Sequence, residues 1–156
     1  TNRAGGERSL ITFHNRWAAA DGVIARSAPF GASEAGGPGT ENLAQALALA
    51  ADRDAWYAAR DLVTGREHLI HGPTVAREGR AVRLGAFDCQ VLLDWRELAP
   101  DRPWAEVAAR IGADGAADVE AVLAGSPPAD GPAPAERPDG AAGPEAARVR
   151  GIIEGS

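Results

Sequence analysis

The chain has 156 residues, a net charge of −6 at pH 7 and an apolar content of 45%. This length favours one domain, or one domain with a tail, and is enough to bury a core. Acidic residues and arginines are interspersed, so the sequence lacks the basic stripe typical of nucleic-acid-binding proteins. No apolar run approaches the roughly 20 residues that a membrane span needs. Since the only cysteine, Cys89, cannot form an internal disulfide, we expect a reduced, cytoplasmic setting.

The first third of the chain predicts two strands, a loop and a short helix. Residues 9–14 and 23–28 are rich in β-branched side chains and are bounded by turn-forming residues, which is typical of strands. Glycines and prolines at 31–39 predict a loop. Thr40 is a suitable N-cap, and apolar residues follow it at helical spacing, so we expect a helix over 41–51.

The middle third predicts an antiparallel β-sandwich over residues 1–98. Strand-like runs at 55–63 and 66–71 flank a Thr-Gly turn, and a second hairpin is expected to turn at 78–79 before a strand at 81–84. The clearest strand is 87–95, because its side chains alternate in character, with Leu92 alone interrupting the polar face. The expected apolar face consists of Phe87, Cys89, Val91, Leu93 and Trp95, opposite Asp88, Gln90 and Asp94.

After residue 98 the pattern becomes helical. Asp101 is placed to cap a helix with Pro103 in its first turn, where a missing N–H costs little. We expect a helical pair appended to the sandwich over 99–124 and a disordered tail rich in Pro, Gly and Ala over 125–156. The apolar stripes of the two helices are Trp104, Val107, Ala108 and Ile111, and then Val119, Val122 and Leu123.

The histidines and the cysteine do not predict a metal or cofactor site. His68 and His71 have a spacing common among zinc ligands, but residues three apart on a strand point to opposite faces. Cys89 lies in an apolar pattern, so we expect a small buried apolar side chain rather than a nucleophile. We therefore expect no metal, no other cofactor and no cysteine chemistry.

A second possibility is a pair of carboxylates that hydrolyses glycosidic bonds. This chemistry requires two carboxyl groups about 5 to 10 Å apart. Asp88 and Asp94 fall on one strand face but six residues apart, roughly 20 Å by strand rise. Pairings with Asp61 or Glu97 are not constrained by the sequence. No catalytic residue is predicted.

Aromatic side chains could form a platform that stacks on sugar rings, and the candidates are Trp17, Trp56 and Tyr57. Because Trp56 and Tyr57 are adjacent on a predicted strand, only one of them should face outward. The alternative is that these rings belong to the core, since the chain holds only 5% aromatic residues.

Two segments resemble the region that follows the catalytic barrel in bacterial proteins of the α-amylase superfamily, glycoside hydrolase family 13. The first is SLITFHNRWAAADGVIARSAPF at 9–30, and the second combines an R-D-x-x-T-G-x-E-x-L pattern with a strand ending in D-W-R-E. Residues 104–125 resemble the helical ending of that region, although 112–115 depart from its usual Gly-Gly-Arg-Gly. The matching residues of the second segment are Arg60, Asp61, Thr64, Gly65, Glu67 and Leu69, then Val91, Leu93, Asp94, Trp95, Arg96 and Glu97.

The resemblance implies a C-terminal β-sandwich that packs against the catalytic barrel of a larger enzyme acting on α-glucans. The family's catalytic carboxylates belong to the barrel, so none is transferred to this chain. The absence of methionine agrees with a piece of a longer polypeptide. We therefore expect a non-catalytic accessory domain, and the alternatives are a freestanding carbohydrate-binding module or a protein-interaction domain that docks through the 102–123 helices.

Overall fold

The structure is a computed structural model that describes residues 1–29 and 39–125. The loop expected at 31–39 and the disordered tail expected at 125–156 therefore lie almost wholly outside the described residues.

The described residues form a mainly β fold built from antiparallel sheets and short helices, which confirms the predicted fold class. A five-stranded sheet has the order β1-β2-β7-β4-β5, and β3 pairs with β6 in a separate two-stranded sheet. The strands are β1 (Asn2–Ala4), β2 (Glu7–Phe13), β3 (Ala20–Ile24), β4 (Trp56–Asp61), β5 (Glu67–His71), β6 (Arg80–Leu84) and β7 (Cys89–Glu97). The helices are α1 (Leu43–Ala46), α2 (Gly72–Glu78), α3 (Trp104–Ile111) and α4 (Val119–Leu123), with a 3₁₀ turn at Gly112–Asp114 between the last two.

The interior strand β4 separates two hydrophobic cores, because successive strand residues point to opposite faces. Tyr57 and Ala59 belong to one core, and Ala58 belongs to the other. We call these two sides of the five-stranded sheet the Tyr57 face and the Ala58 face.

Helices α1 and α2 and the β3–β6 sheet lie over the Tyr57 face. Leu43 and Leu47 of the α1 region and Val75 of α2 are buried there against the sheet residues Leu10 and Leu92. Ile24 of β3 packs against the same cluster, and the Arg80 side chain of β6 donates to Gln90 of β7. Each segment contributes few apolar side chains, so this core depends on several short elements meeting on one face.

Helices α3 and α4 lie on the Ala58 face and cover its β4–β5 half. Their stripes supply the buried residues Trp104, Val107, Ile111, Val119 and Val122, which confirms the predicted helical spacing. The segment expected to be an appendage therefore shares a core with the sheet.

The β4–β5 hairpin forms as predicted, with five antiparallel pairs from Trp56↔His71 to Arg60↔Glu67. Strand β2 pairs with β7 and brings the predicted strands 9–14 and 87–95 together. The turn between the last two helices approaches β5 closely at Gly115, which has a φ of 71°. A Cβ atom there would collide with the Glu67 carbonyl, so both the conformation and the contact require glycine.

The predicted alternation of β7 holds from Cys89 to Leu93 and fails after that, because the strand carries a β-bulge. Asp94 has a φ of 51°, and Asp94 and Trp95 together lie opposite Ala59. Leu92, expected on the polar side, is fully buried on the Tyr57 face, and Trp95 packs against that same core. Phe87 precedes the strand and is exposed at a φ of 52°. One extra residue thus changes the face that Trp95 and the residues after it occupy.

Two further expectations are corrected. The first helix covers only Leu43–Ala46, because Asn42 and Gln45 form a capping box that starts it after Thr40, and Ala48 leaves helical geometry at a φ of 49°. The second hairpin is absent from the described structure: residues around Val75 form α2, and β6 pairs with β3 instead. Gly72 and a proline suited to a first helical turn begin α2 there.

Candidate functional site

The R-D-x-x-T-G segment forms a self-contained turn around Asp61. This buried carboxylate accepts hydrogen bonds from the N–H of Val63 at 3.1 Å, from the hydroxyl of Thr64 at 3.0 Å and from the N–H of Val91 at 3.3 Å. Gly65 closes the turn at a φ of 70°. The carboxylate oxygens are occupied by the turn and by β7, so this motif residue holds two strands together.

Glu67 is the centre of a larger polar cluster on the Ala58 face. Its carboxylate accepts two bonds from the Arg96 guanidinium, at 2.7 and 3.1 Å, and one from Arg60 at 3.4 Å. The N–H of Val119 at the start of α4 also donates to it, at 3.1 Å. Burial alone would raise the pKa of Glu67, but the bond from Arg96, the bond from Val119 and the two cations outweigh it and lower that pKa. Glu67 therefore fastens α4 to the sheet as a carboxylate.

The D-W-R-E segment is likewise engaged in local contacts. The Trp95 indole donates to the carbonyl of Leu92 at 3.1 Å, and Glu97 pairs with Arg53 at 2.7 Å. Glu97 also accepts the hydroxyl proton of Tyr57, at 3.4 Å. The residues that carry the family resemblance thus converge, but in contacts that stabilise the fold.

The two histidines lie on opposite faces, as the strand geometry predicts. The ring of His71 stacks on Trp56 at 4.7 Å and bonds Thr74 and Asp54. His68 is only 7% exposed, and its Nε2 has no hydrogen-bond partner among the described residues. Burial, followed by the charge of Arg80, lowers the pKa of His68 to about 4. Within the described part of the chain, no three His, Cys, Asp or Glu side chains converge in a way that could hold a metal ion.

The three aromatic candidates for sugar stacking differ in the exposure of their rings. Trp17 is 82% exposed, and Phe87 supports it edge-on with ring centroids 4.7 Å apart. Trp56 is half-buried beneath α3 and stacked on His71. Tyr57 is 1% exposed and its hydroxyl accepts the N–H of Ala50, so this residue is removed from the candidates. Trp17 alone presents an open ring.

A second exposed surface lies on the β2–β7 half of the Ala58 face, beyond the reach of α3 and α4. Ile11 pairs across the strands with Val91, and the N–H of Leu62 donates to the Val91 carbonyl, so these three residues form one row. Phe13 pairs with Cys89 in the next row. Ile11, Phe13 and Leu62 are exposed, and Val91 and Cys89 are half-buried. We call these five residues the uncovered face.

The uncovered face was missed in the sequence because only one strand face was expected to be apolar. The run Leu10, Ile11, Thr12 and Phe13 places large apolar side chains on both faces of β2, which is the signal that could have revealed it. Cys89 was expected in the core and is instead half-buried at the margin of this surface. Cys89 lies on the Ala58 face, and the described helices on that face, α3 and α4, pack over its β4–β5 half, so Cys89 lies outside the core.

The apolar face of α3 is already occupied. Trp104 is 3% exposed, its indole donates to the carbonyl of Ala99 at 2.7 Å, and Val107 is buried beside it. Docking of a partner through these two side chains, as one alternative required, would first have to remove them from the core.

No protein-family model matches the chain, and searches of curated proteins and of solved structures return no match. Among the described residues, no helix is sufficiently long and apolar to cross a membrane.

Proposed function

We propose that the chain is a non-catalytic accessory domain that docks through its uncovered face onto a larger partner. The observation that carries this proposal is the exposed row of Ile11, Val91 and Leu62 with the adjacent Phe13. Contiguous apolar patches on a protein surface mark interaction sites, and Ile11, Phe13 and Val91 lie on two paired strands, with Leu62 in the turn that follows β4.

The partner that we propose is the catalytic barrel of a bacterial α-amylase-like glycoside hydrolase that acts on α-glucans. The sequence resemblance over residues 9–123 supports this choice. The carboxylates that could have been recruited for chemistry support the accessory role, since Asp61 and Glu67 are buried and fully engaged. A cytoplasmic location remains part of the proposal, in keeping with the single reduced cysteine, Cys89.

The first experiment replaces an apolar side chain of the uncovered face. Ile11 and Val23 are each 60% exposed and each lies on a strand, but only Ile11 belongs to the uncovered face. Without its partner, the wild-type chain should self-associate with increasing concentration, and Ile11→Lys should weaken this self-association while Val23→Lys should not. Multi-angle light scattering measures the mass, and a wild-type chain that stays monomeric at every concentration would contradict the docking role.

A second measurement tests the identity of the partner independently. The native product in the source cells should be much heavier than 16.1 kDa, because the proposal places a barrel in the same polypeptide. An immunoblot of the source cells and an intact-mass measurement of the detected product give its mass. A native product near 16 kDa, combined with self-association through Ile11, would retain a docking surface and reject the barrel.

Sugar binding at Trp17 is a second candidate function, favoured by the exposed ring and its support from Phe87. Aromatic side chains with an open face provide stacking area for sugar rings. Titration calorimetry with maltoheptaose should give binding for the wild type and for Trp17→Phe, but none for Trp17→Ala. Absence of heat with the wild-type chain would remove this alternative.

A further inference from the structure

Strand β5 forms the edge of the five-stranded sheet opposite to β1, and it pairs within the sheet only with β4. In an antiparallel pair, the N–H and C=O of alternate residues point away from the partner strand. Glu67 is one such residue, because its N–H and C=O bond Ala116 at 2.6 and 2.9 Å. Among the described residues, pairing of this edge ends there. Leu69, two positions further, therefore directs its main-chain groups to the same open side.

A groove of about 620 Å³ runs along this edge. The wall on the Ala58 face includes Trp56, Leu69 and the small side chains Ala105 and Ala108 of α3, and the lining also contains His71 with its hydrogen-bond partner Asp54. A second wall, on the Tyr57 face, is formed by α2 and the start of β6. An extended chain lying between these walls would direct alternate side chains to each of them.

The second wall holds two polar groups without partners. His68 Nε2 and Arg80 Nε are both shielded from solvent, and neither has a hydrogen-bond partner among the described residues. The Arg80 guanidinium donates to Gln90 at 3.0 Å, but no carboxylate lies within ion-pair distance of it in the described structure. The buried carboxylate of Asp61 acts on Arg80 only through space, and an entering carboxylate that bonds the guanidinium would further reduce the cost of shielding this cation.

We infer that this groove binds an extended peptide segment from a partner protein, which adds a strand to β5 at Leu69 and places an acidic side chain against Arg80 and His68. Main-chain bonds to an open sheet edge supply affinity in this mode of recognition, and pockets for alternate side chains supply specificity. The wall on the Ala58 face would receive side chains such as valine. The charge of Arg80 selects an acidic residue over a neutral one on the other wall. This site lies at the far edge of the sheet from β1 and does not depend on the docking role of the uncovered face.

The test uses the full chain and two labelled peptides, acetyl-Thr-Val-Glu-Val-Thr-Val-Thr-amide and the same peptide with Gln in place of Glu. Fluorescence anisotropy should show that the Glu peptide binds the wild type about tenfold more tightly than the Gln peptide, as expected for a hydrogen bond to a charged group. Equal binding of the two peptides, or no binding of either, would overturn the inference.

Matched variants then locate the site. Arg80→Gln should abolish the preference for Glu, while Arg83→Gln, at an exposed position of the same strand paired with Asp21, should retain it. Ala105→Trp fills the groove and should abolish binding of both peptides, whereas Ala109→Trp on the same helix should not. If Arg80→Gln fails to fold, two results still test the inference. They are the contrast between Ala105→Trp and Ala109→Trp, and the relative affinity of the wild type for the two peptides.

Amide hydrogen exchange tests the main-chain pairing. The Leu69 amide should exchange freely in the unliganded chain and at least about tenfold more slowly with the Glu peptide bound, because it then donates to the added strand. The Glu67 amide, already bonded to Ala116, is the internal reference and should be protected in both states. A Leu69 amide that is already protected without peptide would show that the chain covers its own edge, which would overturn the inference.

Discussion

The two halves of the five-stranded sheet have similar strand chemistry but different surroundings. The β4–β5 half is covered on both faces, by α3 and α4 on one side and by α1, α2 and β6 on the other. The β2–β7 half is covered on the Tyr57 face, but on the Ala58 face it leaves Ile11 and Phe13 exposed. We therefore expect the first half to contribute more to stability, whereas the docking surface that we propose lies on the second.

The largest expected effect is a difference in unfolding free energy between two tryptophan variants. Trp104 is buried against the covered half, so Trp104→Ala should lower the free energy of unfolding by about 3–5 kcal/mol. Trp17 is exposed beyond the end of the uncovered face, so Trp17→Ala should change it by less than about 0.5 kcal/mol. Urea denaturation followed by circular dichroism measures both values. Equal losses would mean that the two regions do not differ in their contribution to stability.

The next effect is a pH dependence of stability that follows from His68, which is buried in the β4–β5 half of the sheet. Burial lowers the pKa of His68 to about 4 in the folded chain, from its ordinary value of 6.5. As pH falls below 6.5 the unfolded chain therefore binds a proton that the folded chain does not, and stability decreases by roughly 3 kcal/mol by pH 4. Urea unfolding between pH 7.5 and pH 4.5 should show this loss.

The control for this pH dependence is another histidine. His68→Gln should flatten the loss between pH 6.5 and pH 4.5, while His14→Gln should retain it, since the ring of His14 lies in a partly exposed loop and bonds only the carbonyl of Ala18. A wild-type chain with constant stability across this range would indicate that His68 is accessible to solvent, and the covered half would then be less closed than described.

The smallest effect concerns the link between α4 and the sheet. Glu67→Gln removes the charge that holds Arg96 and Arg60, and should lower the unfolding free energy by about 2 kcal/mol. Glu120 also approaches Arg96, at 3.6 Å, but is exposed, so Glu120→Gln should cost less than about 0.5 kcal/mol. Because the pKa of Glu67 is lowered in the folded chain, its contribution should persist at neutral pH and be lost only as pH falls below about 4.5.

Unfolding curves at pH 7 and pH 3 distinguish an effect of the Glu67 charge from an effect of its packing. The wild type and Glu67→Gln should differ at pH 7 and become more similar at pH 3. A constant difference would show that the substitution acts through packing rather than through the charge of the carboxylate.

Local patterns in the sequence predicted the elements whose partners are close along the chain. The 55–71 hairpin and the stripes of α3 and α4 formed as expected, because turn residues and helical spacing act over a few positions. The pairing of β3 with β6 was not predictable, since it joins segments about 60 residues apart. The same limitation applied to the site: the exposure of Ile11 depends on where α3 and α4 end, which no local pattern specifies.

The bulge in β7 has a consequence for how this strand tolerates change. Before Asp94, even-numbered residues such as Leu92 reach the core of the Tyr57 face, and after it odd-numbered residues such as Trp95 do so. The extra residue therefore reverses, within a single strand, which alternate positions face the core. Deleting Asp94 would remove the bulge and join Leu93 directly to Trp95, so Trp95 would stay on the Tyr57 face and Arg96 on the Ala58 face. Asp94 is thus the position at which β7 should best tolerate the loss of a residue.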